Sequence, residues 1–166
     1  IPDTPVDYPV VKYSDNEFYL HKNFNKEYQF SGIPFLDYQS NDESVNKIIY
    51  AHNMKNGTMF ASLADYEDKS FYDAHKNIMY DTLYDKGEYE IVYAFTTKVG
   101  ASNEFKYYNY ADIESEERFN EYVTQAKSRS FYDTGVNTVY GDSLITLSTC
   151  AYHTSNERFV VIARKK

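Results

Sequence analysis

Short apolar runs, many of them alternating with polar residues, recur along the chain between turn-forming residues, and they predict a molecule built mainly of β-strands. Residues 6–13 (VDYPVVKY) read as one strand, and Pro9 places it at an edge or a strand start, because proline brings no N–H to a ladder. Residues 32–38 (GIPFLDY) read as a second. Residues 47–52 (KIIYAH) are nearly all apolar, as a buried strand is, and Asn56-Gly57 beyond them is a strong turn signal. Tyr89, Ile91, Tyr93 and Phe95 alternate with Glu90, Val92 and Ala94, so 88–98 predicts a longer strand. Residues 144–150 and 159–164 close the chain as two more. Two segments carry a helical period. Ser115 suits an N-cap, with Glu116 and Glu117 at the positive helix end. Phe119, Tyr122, Val123 and Ala126 then form one apolar stripe. Phe71, Ala74, Ile78 and Leu83 predict a second helix over 70–83. Strands and helices do not alternate regularly, which disfavours a doubly wound parallel sheet and favours a β-barrel or sandwich with peripheral helices.

Composition sharpens this picture in a few places. The 166 residues fit one domain and suffice for a core without disulfides or metals. With 42% hydrophobic and 25% charged residues, global disorder is disfavoured. The 19 tyrosines strengthen the β reading, since Tyr suits half-buried pleated strands. A net charge of −8, with no basic run beyond Arg164-Lys165-Lys166, argues against a cationic nucleic-acid-binding face. No apolar stretch approaches the roughly 20 residues that span a membrane. No signal peptide is legible, and the abrupt start at Ile1-Pro2-Asp3-Thr4 reads as a trimmed chain, so absent targeting signals carry little weight.

Candidate chemistry gathers around the only cysteine, Cys150. One thiol forms no internal disulfide, which fits a cytosolic protein or an extracellular one that avoids disulfides. If the last two strands form an antiparallel hairpin symmetric about Thr154, across a loop of residues 151–157, Cys150 and Arg158 face each other. Cross-strand partners share a face, with Cβ atoms about 4.5–5.5 Å apart. A cation so placed favours the thiolate, the nucleophilic form. The bland alternative is a small buried hydrophobe. Against it, Ser148, Thr149 and Thr154 make a polar rim on an apolar scaffold of Ile145, Leu147, Phe159, Val160 and Val161. A cysteine nucleophile needs an acid–base partner, most often histidine. His21 and His75 sit among charged neighbours and read as surface residues; His153 lies in the predicted loop. His52, projecting from the end of an apolar strand, is the best candidate, although a hydrogen-bonded structural histidine is common there.

These stretches also resemble a known family. TLSTC (146–150), followed by RFVVIARK (158–165), resembles the Thr-Leu-x-Thr-Cys and arginine signature of the sortases. IYAHNMKNGTMFASL (49–63) resembles the segment holding the sortase histidine, in its class B form. VDYPVVKYSDNEFYLHKNF (6–24) resembles the first strands of class B enzymes, and FKYYNYADIESEERFNEYV (105–123) the long class B insertion with its helix. The resemblance implies a closed β-barrel of about eight strands, with a helix in the insertion before the penultimate strand, and one catalytic domain over 1–166. It implies that the N-terminal membrane anchor and helices usual in class B lie outside this stretch. The enzyme would work at the extracellular face of the membrane of Gram-positive bacteria. The active site carries over as Cys150, His52 and Arg158, setting aside the other three histidines. Asn16, Leu20 and Ser148 match residues near the substrate groove, and Tyr107 and Tyr108 match the wall before the helix; for Leu20 and the tyrosines the alternative is plain core packing. Thr149, directly before the nucleophile, belongs to the site floor. Ala151 and Tyr152 place no acid after Cys150, so an arginine-assisted dyad fits better than a triad. The implied partners are the sorting-signal peptide of a surface protein and an amine acceptor from a peptidoglycan precursor or a pilin. No cofactor and no metal are implied, and nucleic acid is not expected. The alternatives are a papain-like cysteine hydrolase, whose nucleophile normally opens a helix, and a non-catalytic surface β-domain.

Overall fold

The computed structural model describes residues 1–100, 103–150 and 156–166, with Cys150 represented by its backbone alone. Seven strands form one curled sheet: β1 (Val11–Lys12), β2 (Phe35–Leu36), β3 (Asn46–Ala51), β4 (Asn77–Asp81), β5 (Lys86–Lys98), β6 (Leu144–Cys150) and β7 (Glu157–Lys165). Their order is β1-β2-β3-β6-β7-β5-β4. The β1–β2 and β3–β6 pairs are parallel and the rest antiparallel. Helices α1 (Lys69–Ala74) and α2 (Glu116–Arg129) and three 3₁₀ turns lie around the sheet. The predicted mainly β class with a helix before the penultimate strand holds. The expected closed barrel of about eight strands is, among the described residues, a half-barrel of seven whose edges are β1 and β4. No described helix is long and apolar enough to cross a membrane.

Both faces of the central strands are buried, which is why β3, β6 and β7 read as continuous apolar runs. Period-two alternation sends Ile49, Ile145, Leu147, Val161 and Ala163 to one core. It sends Ile48, Leu144, Val160 and Ile162 to the other, where they meet Phe119, Tyr122 and Ala126 of α2. Full burial of a side chain such as Phe119 stabilises by about 1.5–3 kcal/mol. Helix α2 starts where the Ser115 hydroxyl accepts the Arg118 N–H; Glu116 and Glu117 occupy its first turn, and Lys127 and Arg129 its last. Charge and dipole therefore agree at both ends. A polar chain braces α2 and its approach to the sheet. The Asn46 amide donates to the Tyr110 carbonyl (3.0 Å), Thr146 donates to Asn46 Oδ1 (2.8 Å), and Tyr122 lies 2.7 Å from Thr146. The single Thr146 proton goes to Asn46, so Tyr122 is the donor in the last pair.

Several expectations are corrected. The strand expected over 6–13 is paired only at Val11–Lys12, and that over 32–38 only at Phe35–Leu36. Pro9 brings no N–H to the first of these, and Pro34 none to the second. The helix expected over 70–83 ends at Ala74, and residues 77–81 instead form β4, where Ile78 pairs with Tyr89. Phe71 and Ile78 do share one core, but from two different elements. Leu83, taken into that stripe, is 92% exposed. The alternation predicted for β5 breaks at a register shift between Ile91 and Tyr93. It sends Tyr89 and Ile91 to one core and Tyr93 and Phe95 to the other.

The excursion between β1 and β2 is pinned by glycine. Gly32 has φ +58°, and a Cβ there would lie 2.4 Å from the carbonyl oxygens of Tyr19 and Leu20. The close approach fixes the 3₁₀ turn Phe18–His21 against the sheet edge.

Candidate active site

Three neighbouring strands end or begin at the same level. Ala51, the last residue of β3, pairs with Thr149 of β6, so His52 and Cys150 are the next positions on adjacent parallel strands. Cys150 in turn pairs with Arg158 of β7, the pairing that symmetry about Thr154 predicts. Strand β7 begins at Glu157, one residue earlier than the predicted loop allowed; residues 151–155, with His153, Thr154 and the predicted absence of an acid after Cys150, lie outside the described residues. Cys150 closes a strand, unlike the helix-opening nucleophile of the papain-like alternative.

A groove of about 290 Å³ lies at this level. It is lined by every residue predicted for the site except Cys150, whose side chain is not described: His52, Arg158, Ser148 and Thr149 from the sheet, Asn16 and Leu20 before β2, and Tyr107 and Tyr108 from the turn Tyr107–Tyr110. A larger cleft of about 830 Å³ between residues 1–10 and the β4–β5 hairpin holds none of them, so size alone does not single out the site.

The groove residues are held from behind. Tyr107 and Ser148 share a buried hydroxyl–hydroxyl hydrogen bond of 2.5 Å, which ties the insertion to β6. Asn16 donates to Asp37 (2.8 Å) and accepts the Tyr38 N–H (2.9 Å). The same Asp37 carboxylate, 2% exposed, accepts the Tyr50 hydroxyl at 2.8 Å. Burial and that carboxylate push the Tyr50 phenol far above its ordinary range, so it stays a donor. Thr149 Oγ1 is buried and has no hydrogen-bond partner among the described residues.

His52 is half-buried, and its carbonyl accepts the Phe60 N–H at 2.9 Å, closing the turn that follows β3. Burial, then His21, then Arg158 lower its proton affinity below the ordinary imidazole value. Arg158 is half-buried, and its Nη1 donates to the Glu157 carbonyl at 3.0 Å. The arrangement gives an imidazole biased toward its neutral form, a guanidinium, and a thiol-bearing position in register with that guanidinium. Those are the parts of a nucleophile, a proton carrier and an anion-stabilising donor set.

Sequence reasoning missed three contributors. Tyr50 lies two positions before His52 and lines the same groove, so period two was the signal that marks it. Asp37 acts from behind, and its buried carboxylate has no local sequence signal. His21, read as a surface residue, is exposed, but its ring lies 5.3 Å from that of His52. His75 is half-buried rather than exposed; its Nδ1 meets the Phe71 carbonyl at 3.0 Å and its ring stacks on Phe71.

Comparison with known proteins agrees with this geometry. A family model described as Sortase domain matches residues 1–166. Sortase B of Listeria monocytogenes is 38% identical over 150 residues, covering 89% of this chain and 59% of that protein. Sortase B of Staphylococcus aureus is 32% identical over 165 residues, covering 97% of this chain and 66% of that protein. The chain thus spans less than two thirds of either relative. The solved S. aureus sortase B–substrate complex superposes with a TM-score of 0.90 at 30% identity, covering 100% of this chain and 76% of that one.

Proposed function

Since this chain belongs to the sortase family, in its class B form, we propose that it is the catalytic domain of a cysteine transpeptidase that cuts a sorting signal and transfers the acyl fragment to an amine. The observation that carries the reading is the alignment of positions 52, 150 and 158 across β3, β6 and β7, beside a groove lined by the predicted substrate-contacting residues. The substrate is a short extended peptide of the Leu-Pro-x-Thr-Gly or Asn-Pro-x-Thr kind at the C-terminus of a surface protein.

In the first half-reaction the Cys150 thiolate attacks the threonine carbonyl, and Arg158 donates to the developing oxyanion or to the substrate backbone. The C–N bond breaks as His52 gives its proton to the leaving amine, and a thioester joins the peptide to Cys150. In the second, an amine of a peptidoglycan precursor or a pilin attacks the thioester. His52 takes its proton, the thiolate leaves, and a new amide remains. The full-length protein is held by an N-terminal anchor at the outer face of the membrane.

The test is cleavage of fluorescence-quenched peptides carrying each motif, with and without an amine acceptor, by the wild type and by His52→Ala and Arg158→Ala. Cleavage by the wild type, accelerated by amine and lost in both variants, is the expected result. Undiminished cleavage in either variant removes that residue from the mechanism.

A further inference from the structure

Among the described residues, His21 is the histidine that the fold brings against His52. The ring centroids are 5.3 Å apart and tilted by 42°. His21 is not a loose surface side chain. Its Nδ1 lies 2.9 Å from the Phe30 carbonyl, its own carbonyl accepts the Gln29 N–H at 3.0 Å, and its ring stacks on Phe30 with centroids 5.9 Å apart. A carbonyl oxygen only accepts, so the hydrogen bond requires Nδ1 to carry the proton. Nε2 is then the atom of His21 that gains or loses one. Tyr28 closes a further side at 6.4 Å.

We propose that His21 is a positioning residue of this site: its imidazole is held beside His52 so that a positive charge on it opposes a proton on His52. The inference rests on the reading of His52 as the acid–base residue. Among the described residues, the charged groups that face His52 are His21 from the turn Phe18–His21 and Arg158 from β7; Cys150 of β6 stands in register with Arg158. On the loop of His21 itself, Lys22 lies over the Phe18 ring and Glu27 pairs with Asn23, so neither is engaged with the imidazole pair. A like charge this close to the half-buried His52 ring works in the same direction as burial and lowers its proton affinity. The chemical consequence is direct. A proton on His52 opposed by a neighbouring charge is given up more readily, which suits a residue that must protonate a leaving amine.

The experiment follows the histidine ring Cε1–H signals by NMR through a pH titration of wild type, His21→Gln, His21→Phe and His21→Lys, alongside the pH profile of peptide cleavage. Phenylalanine keeps a ring for stacking and removes the charge; lysine keeps a charge and removes the ring. The expected result is a His52 midpoint that rises by about half a pH unit or more in the Gln and Phe variants, roughly a threefold gain in proton affinity, and does not rise in the Lys variant. The limb of the kcat/KM profile that reports His52 moves by the same amount while KM stays constant. An unmoved midpoint in the Gln and Phe variants overturns the proposal, and so does a moved midpoint with an unmoved rate profile. Absence of cleavage by the wild type at every pH overturns the transpeptidase reading instead, and the midpoints still decide whether His21 opposes a proton on His52.

Discussion

Thr146→Val tests how the insertion is braced against the groove. Valine matches threonine in shape, so no cavity opens and the change is confined to one hydroxyl. In the wild type that hydroxyl donates to Asn46 Oδ1 at 2.8 Å and accepts from Tyr122 Oη, 2.7 Å away. All three residues are 0% exposed, so water replaces neither partner. The substitution deprives one donor and one acceptor of their partner, each at about 1–3 kcal/mol, and partial re-pairing of the Tyr122 hydroxyl with the Asn46 side chain holds the loss to about 2–4 kcal/mol. For a chain of this size that lowers the melting temperature by roughly 4–16 °C. A double-mutant cycle with Tyr122→Phe isolates the cause. Tyr122→Phe alone costs about 1 kcal/mol, because Thr146 keeps its bond to Asn46. On the valine background it removes a stranded hydroxyl and costs nothing or restores stability, so the pair falls short of additivity by about 1 kcal/mol or more. The Asn46 amide also holds the Tyr110 carbonyl of the turn that carries Tyr107 and Tyr108, so peptide KM rises in Thr146→Val. Urea denaturation of the four proteins gives the cycle. A loss below about 1 kcal/mol for Thr146→Val, or strict additivity, refutes the reasoning.

Gly32→Ala forces a Cβ to within 2.4 Å of two carbonyl oxygens at a left-handed φ of +58°; it costs about 2–4 kcal/mol and raises peptide KM by displacing Leu20, and an unchanged melting curve and KM would contradict this. Arg158→Lys loses most activity, because an ammonium does not reproduce the planar donor fork; near-wild-type kcat/KM would exclude a forked contact. His52, whose proton affinity is lowered first by burial, favours the folded state above the ordinary imidazole value of about 6.5 and withdraws that contribution as pH falls below it. His52→Gln therefore flattens the decline of urea midpoint between pH 7 and 5, and parallel declines in the two proteins would contradict it.

The hairpin that carries the site was legible because its elements are long, apolar and close in sequence. Period two and the spacing of 150 and 158 gave both strands and their register. Helix α2 was legible from its cap and stripe. What escaped is what depends on distant partners. Residues 77–81 are a strand because β5 offers them an edge, while their spacing from Phe71 mimics a helix. Strands β1 and β2 pair over two residues each, and much of that region is held by side-chain bonds to Asp37. The bulge in β5 switches faces without a local signal. At the groove, the residues reached through motif resemblance came together, whereas His21 did not stand out, because it lies 31 positions before His52 and a glycine-dependent close approach brings it back.

The most direct test of the central claim is intact-protein mass spectrometry of wild type and Cys150→Ala mixed with sorting-signal peptides, then chased with an amine. The account predicts a mass gain equal to the acyl fragment ending at threonine, on wild type alone, lost on addition of amine with release of the ligated peptide. Turnover without a covalent adduct on Cys150, or an adduct of the same mass on Cys150→Ala, would contradict it.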